Sequence, residues 1–234
     1  EKRNLPRGIA ITCLDKDDTD FDNTLLEIKE RWGEERCIPM VLPTSDGKAV
    51  DILNTPIDQV PDELKARVKG IKDHLIELAA ETDDSLMEKY FEGVELTADE
   101  FSEGLRKSVH DAHLIPVFAT SVKADMGVKE MMDSISRLFP SPHDYPVSCA
   151  EGNEISAEED QPFSGQVWRC FNDAFIGQLT FVRIYSGVLK PGMEIFNPTK
   201  NQKEKVSTIL YVYGKKTTEA TEAKAGDIVA LTKL

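Results

Sequence analysis

The sequence lacks several things at once. It has four cysteines in 234 residues, Cys13, Cys37, Cys149 and Cys170, and no C-x-x-C pair. That excludes a disulfide scaffold and a zinc ribbon, and leaves ordinary thiols in a reducing compartment. No stretch approaches the ~18 apolar residues of a membrane span. No basic segment followed by an apolar run opens the chain, so a secretory leader is not expected. Positive charge is scarce: 28 Lys and Arg stand against 42 Asp and Glu, for a net −14. Such a chain repels phosphate at long range, which argues against a large non-specific nucleic-acid surface, DNA included, and allows at most a local basic face. The phosphate loop G-x-x-x-x-G-K-[ST] is absent, since Gly47-Lys48 and Gly214-Lys215 are the only Gly-Lys pairs and neither has the required neighbours. No G-x-S-x-G elbow occurs. His110 and His113 share a spacing of three but have no third ligand nearby, so solvated or capping roles suit them better than metal binding.

What is present is ample: 40% hydrophobic residues, enough for two cores. The halves differ in period. Up to about Pro142, apolar residues recur at three and four. Phe21, Leu25, Ile28 and Trp32 predict a helix closed by Gly33. Leu64 to Leu78 predicts a longer one, broken at Thr82-Asp83-Asp84. Thr97-x-x-Glu100 is a capping box for a helix carrying Phe101 and Leu105. Val128 to Leu138 predicts a last helix stopped by Pro140 and Pro142. Strands are expected at Gly8–Leu14, Ile38–Leu42, Ala49–Leu53 and Leu114–Phe118. Pro39 argues for an edge or a strand start, and Asp46-Gly47 for a hairpin.

After Phe163 the pattern turns to short β-rich runs at Phe163–Cys170, Gln178–Tyr185, Met193–Phe196, Val206–Tyr213 and Asp227–Thr232. Lys190-Pro191-Gly192 and Ala225-Gly226-Asp227 are turns. The spacing predicts a small closed antiparallel barrel. Between the halves, residues 148–161 hold five acidic residues and no basic one, which reads as an acidic linker or hairpin loop. The chain begins without Met and ends inside an apolar run, as a piece of a longer protein would.

Two loops are informative together. Thr12-Cys13-Leu14-Asp15-Lys16 follows the first strand, and Thr120-Ser121-Val122-Lys123 follows a later one. Ligands of open α/β sheets sit beyond the carboxyl ends of strands. An Asp there can accept from both the ring N–H and the exocyclic amine of guanine, and a backbone amide of the second loop can donate to the keto oxygen. An isolated Asp at a strand end is more often a cap or turn residue; the pairing of the loops gives the ligand reading its weight.

These residues carry a resemblance. Ile9 to Phe21, IAITCLDKDDTDF, resembles the strand and loop of the guanine-reading N-K-x-D motif of translational GTPases. Ser121-Val122-Lys123 is similar to their S-A-[K/L] loop, and Leu138-Phe139-Pro140-Ser141-Pro142 to their exit from the G domain. Pro162-Phe163, Asp173 to Gly187, Leu189 to Gly192 and Ala225 to Leu231 resemble domain II of the elongation factor G family. The resemblance implies an α/β partial G domain at residues 1–147, with an inserted helical subdomain at about 39–112. A domain II β-barrel would follow at 162–234. It further implies a cytoplasmic, ribosome-stimulated GTPase that binds GTP or GDP with Mg²⁺ in its full length, and that contacts ribosomal RNA and ribosomal proteins. Asp15, Ser121, Val122 and Lys123 would read the base. The phosphate loop, switches and catalytic His would lie upstream, so the fragment alone would bind no cofactor and be inactive. The family's Asn and Lys are Thr12 and Cys13 here. That departure keeps open a ribosome-binding paralog without hydrolysis, and the architecture keeps open a ribosome-protection or release-factor relative. Lys200, Lys203, Lys205, Lys215 and Lys216 are a basic face toward RNA on one reading, and solubilising strand-surface lysines on the other.

Overall fold

The structure is a computed structural model and describes residues 5–144, 146–148, 154–173 and 177–232. Cys149, the Glu151–Asn153 part of the acidic stretch, and Ala174–Ile176 of the domain II resemblance lie outside the described residues. The chain forms two compact units, Glu1–Phe139 and Pro140–Leu234.

The first unit runs β1 (Ile9–Ile11), α1 (Phe21–Trp32), β2 (Cys37–Pro43), β3 (Ala49–Asp51), α2 (Asp62–Ala80), α3 (Asp84–Phe91), α4 (Ala98–His110), β4 (Ile115–Ala119) and α5 (Val128–Leu138). Its sheet has the order β1-β4-β2-β3. The β1–β4 and β4–β2 pairs are parallel and the β2–β3 hairpin antiparallel. All of β4 and all but the last residue of β2 are buried, so both read as unbroken apolar runs, as strands covered on both faces do. Phe118, Met40, Leu42 and Ile115 are at the centre of one core that also takes in Val68, Leu75, Leu105 and Val109 from the helices.

The helix signals act as written. Asp20 caps α1 by accepting from the Asn23 amide at 3.0 Å. Thr97 and Glu100 form a reciprocal capping box at α4. The α2–α4 contact is close because Gly104 has no side chain; a Cβ there would stand 2.7 Å from the Ala79 carbonyl oxygen. The edge expectation for Pro39 holds locally: β3 pairs only with Val41–Pro43, so at Pro39 the one ladder partner of β2 is Val117 of β4. The β2–β4 register shifts between Pro39 and Val41, and such an irregularity tolerates a residue without an amide donor.

The second unit comprises β5 (Val147–Ser148), β6 (Glu154–Ile155), β7 (Ser164–Asp173), β8 (Gly177–Ser186), β9 (Val188–Leu189), β10 (Glu194–Asn197), β11 (Gln202–Lys205), β12 (Ile209–Tyr213), β13 (Lys216–Ala220), β14 (Ala223–Lys224) and β15 (Ile228–Thr232). A five-stranded antiparallel sheet has the order β13-β12-β15-β8-β7, with two-stranded ribbons β10-β11, β14-β9 and β5-β6. Its main core is Ile184, Leu189, Val206, Ile209 and Leu231 with their neighbours. The closed barrel expected from strand spacing is not formed: among the described residues no ladder joins β7 to β13, and the short strands pair with one another instead. The described end of the acidic stretch is tied down at Glu158 and Glu159. The Glu158 carbonyl accepts from the Gly187 amide at 2.8 Å, and Glu159 pairs with Lys224 at 3.0 Å.

The capping box has a pH consequence. Hydrogen bonds from the Lys89 ammonium and then from the Thr97 amide hold the Glu100 carboxyl at about 2, well below the ordinary glutamate range. A carboxyl lowered by folding stabilises the native state above its unfolded value and loses that contribution as pH falls through its folded value. Stability measured by urea unfolding is therefore expected to fall between about pH 4.5 and 2, and the Glu100→Gln variant to show a shallower fall over that interval. An identical pH profile for the two proteins would overturn this assignment.

Candidate functional site

The site begins with strand direction. Parallel pairing sets Ile11 beside Ala119, so β1 and β4 release their following loops at the same rim. The Thr120 amide donates to the Ile11 carbonyl at 2.9 Å and its hydroxyl to the same oxygen at 3.1 Å. The Leu14 amide returns a longer bond to the Thr120 carbonyl at 3.4 Å.

Asp15 and Ser121 meet in the space so made. The Ser121 hydroxyl donates to Asp15 Oδ1, although 106 residues separate them in sequence. Lys123 Nζ stands 3.9 Å from Asp15 Oδ2. The Asp15 side chain is 16% exposed and that of Lys123 88%. The carboxyl is lowered from its ordinary value, first by the Ser121 hydrogen bond, with its own backbone amide, Lys123 and Lys16 adding to this against the opposing effect of burial. At neutral pH Asp15 is therefore an ionised group that only accepts, with lone pairs left on both oxygens.

The second loop is built to hold Ser121 still. Ser121 is fully buried and exchanges backbone bonds with Met126 at 2.8 and 2.9 Å, while its hydroxyl accepts from the Ala124 amide at 3.2 Å. Gly127 follows in a left-handed conformation, φ 71°, before α5. A Cβ there would fall 2.0 Å from the Ala119 carbonyl oxygen, so the return of the chain past the end of β4 requires glycine. Val122 is 82% exposed at the tip. The amides of Val122 and Lys123 make no hydrogen bond among the described residues. Two adjacent free N–H donors beside an ionised carboxylate form a rim that complements a ligand edge presenting both donors and a carbonyl oxygen.

Thr12 and Cys13 lie exposed in the same first loop. Cys13 takes a positive φ of 63° and its carbonyl accepts from the Lys16 amide at 3.2 Å. Thus all four residues named from sequence lie at one rim, with Asp15, Ser121 and Lys123 in mutual reach. Sequence reading placed Thr120 in the second loop without its tie to Ile11 and missed Met126 and Gly127 as supports of that rim; of the last two only Gly127 left a trace, a glycine immediately before an apolar helical period.

Two cavities of the first unit are lined by residues other than those of the rim. A mainly apolar cavity of about 570 Å³ is lined by Ile76, Tyr90, Val94 and Phe101 among others, and a polar one of about 540 Å³ by Asp51, Asn54, Asp133 and Arg137 among others; neither includes Asp15 or Ser121. The five lysines divide between two hairpins. Lys200 pairs with Glu204 at 3.0 Å and Lys203 with Glu194 at 3.7 Å on β10–β11, and Lys215 and Lys216 belong to the β12–β13 hairpin. Among the described residues no group of three or more His, Cys, Asp or Glu is placed to hold a metal ion, and no helix is long and apolar enough to cross a membrane.

Comparison with known proteins supplies the context. The family model for elongation factor Tu domain 2 matches residues 177–234. Elongation factor G of Mycoplasma pneumoniae is 34% identical over an alignment of 249 residues that covers 97% of this chain and 36% of that protein. A crystal structure of a protein from Thermus thermophilus superposes with a TM-score of 0.80 at 26% identity, covering 99% of this chain and 35% of that one. The chain thus spans about a third of the length of the curated relative it matches.

Two outcomes follow from the geometry. Ser121→Ala removes the donor that lowers Asp15, so the Asp15 carboxyl, followed by carbon-13 NMR, is expected to titrate at higher pH; an unmoved midpoint would mean that the hydroxyl does not hold it. Gly127→Ala combines left-handed backbone strain with a carbonyl clash and should cost about 2 kcal/mol or more in urea unfolding. A loss within error of zero would refute the tight passage past Ala119.

Proposed function

Taking as premise that this chain belongs to the elongation factor G family of translation factors across nearly its whole length, we propose that it reads the base of a guanine nucleotide. The protein to which the stretch belongs is, on this reading, a cytoplasmic translational GTPase that promotes movement of tRNA and mRNA through the ribosome. The observation that supports the reading is the hydrogen bond from Ser121 to Asp15, which fixes an ionised carboxylate beside the free amides of Val122 and Lys123. Guanine offers two N–H donors on one edge and a keto oxygen next to them. Asp15 accepts from the first two, and an amide of the second loop donates to the oxygen. Adenine presents neither the ring N–H nor the keto oxygen, and leaves Asp15 facing an acceptor.

The residues present fit the base and not the triphosphate. No phosphate loop occurs in the sequence, so GTP phosphates and Mg²⁺ would be held by residues of the full-length protein outside this stretch. When bound there, Mg²⁺ would neutralise charge at the phosphates; this chain's own part is to orient and select the base. A second reading rests on Thr12 and Cys13, which replace the family's Asn and Lys in an exposed loop: a ribosome-binding paralog that does not turn over GTP.

Calorimetry on the full-length protein tests both. GDP is expected to bind and ADP not, with Asp15→Ala lowering GDP affinity at least about tenfold, as loss of a charge-assisted contact does, and ribosome-dependent turnover following the binding. Equal affinity for the two nucleotides would overturn the guanine reading. Selective GDP binding without any ribosome-stimulated hydrolysis would establish the second reading over the first.

A further inference from the structure

The sheet of the second unit has a face that is aromatic and cationic together. Cross-strand register puts Gln166, Arg183 and Ile228 in one row, and Arg169, Phe181 and Ala230 in the next. Residues in register point to the same side, as do residues two apart along a strand, so these rows share one face with Phe171 and Leu179. The β7–β8 register shifts between Val167 and Arg169 and leaves Trp168 without a ladder partner. Strict alternation would send Trp168 to the opposite face from Arg169; the bulge re-aims it, and its ring lies 5.5 Å from that of Phe181. Phe171 stacks on the same Phe181 ring at 5.7 Å with 18° between planes. Arg169 Cζ lies 5.5 Å from the Phe171 centroid.

The cluster is open to solvent and short of acceptors. Trp168 is 53% exposed and Phe171 37%. Arg183 Nε is buried with no hydrogen-bond acceptor among the described residues. Glu219 belongs to this face too, at its far edge on β13, opposite Leu210. Two guanidinium groups without a carboxylate partner among the described residues, beside exposed flat rings, complement a ligand that carries negative charge and planar rings together.

We propose that this face binds single-stranded RNA. Unpaired bases stack on Trp168 and Phe171, and Arg169 and Arg183 meet the phosphates. Base stacking on aromatic side chains is tolerant of sequence, and arginine beside the rings adds charge attraction and stacking of its own. Duplex RNA keeps its base planes inside the helix and cannot cover the rings. An acidic peptide would satisfy the arginines and leave the rings in water. The proposal deepens the ribosomal reading above by naming unpaired RNA bases as what the sheet meets. It is independent of the guanine rim, and its test reads only this face.

The test uses the 234-residue chain with Trp32→Phe, so that Trp168 is its one tryptophan. Titration with a ten-nucleotide single-stranded oligoadenylate should quench Trp168 fluorescence, with an affinity that falls as salt rises. With a labelled oligonucleotide followed by anisotropy, Arg169→Glu and Trp168→Ala should each weaken binding at least about tenfold, and Trp168→Phe should retain it within about threefold because a stacking ring remains. Circular dichroism on each variant confirms that the sheet is intact. Lys215→Glu with Lys216→Glu, on another hairpin, should change affinity less than about twofold. The proposal is overturned by absence of quenching, by equal affinity for a ten-base-pair RNA duplex or a decaglutamate peptide, or by Trp168→Phe losing as much as Trp168→Ala. Ribosome binding that persists in the Trp168→Ala chain while oligonucleotide binding is lost would refute only the assignment of this face to ribosomal RNA.

Discussion

The hydrogen bond from Ser121 to Asp15 turns two ordinary loops into one rim. It exists because β1 and β4 are parallel neighbours that end in register, and because Thr120 ties the first residue beyond β4 back to Ile11. A hydroxyl aimed at a carboxylate favours its ionised form, so the same contact that fixes Asp15 in space also fixes its charge. Position and ionisation are therefore a single property of the rim. The Ser121 side chain also accepts from the Ala124 amide, and that bond gives the hydroxyl its direction.

The two units arrive at their stability by different means. In the first, β2 and β4 are covered on both faces and the sheet shares one core with α2 and α4. In the second, the sheet is antiparallel and β7 is exposed along most of its length. Parallel strands need cover on both sides, whereas antiparallel ones tolerate water on one. A ligand rim at strand ends suits the first arrangement, and an open face suits the second.

Much of this was legible in the residues, for reasons that differ by element. Helix periods at Phe21–Trp32 and Val128–Leu138 were visible because each helix packs one stripe against a core. The capping box at Thr97 was visible because it is a local device. Strands β11, QKEK, and β13, KTTEA, were not, because both are second arms of hairpins and carry no apolar alternation. Pro39, by contrast, was a sound signal, because β3 pairs only with Val41–Pro43 and leaves β2 a local edge at Pro39. Asp15 and Ser121 could be named from sequence, but their contact could not be derived from composition or period. It depends on strand order, for which 106 intervening residues give no local signal. Trp168 illustrates the same limit, since a one-residue bulge decides which face its ring joins.

The departures at Thr12 and Cys13 bear on the rim in a specific way. Recognition of a purine has two physically separate parts: hydrogen bonds at the base edge, and contact with the flat faces. Edge contacts discriminate strongly, because a wrong base leaves buried or charged polar groups unpaired. Face contacts discriminate weakly, because every base has a π-face. In the base-reading proposal Asp15 and the free amides of the Ser121 loop would meet the edge, and all three groups are present at the rim. A long aliphatic stem at position 13 would have belonged to the face, and Cys13 has none. If the rim takes a purine as proposed, the shorter side chain would remove contact shared by all purines and leave the selective part in place. On the proposed reading such a rim would bind nucleotides more weakly in general, and its preference for guanine over adenine would rest on Asp15.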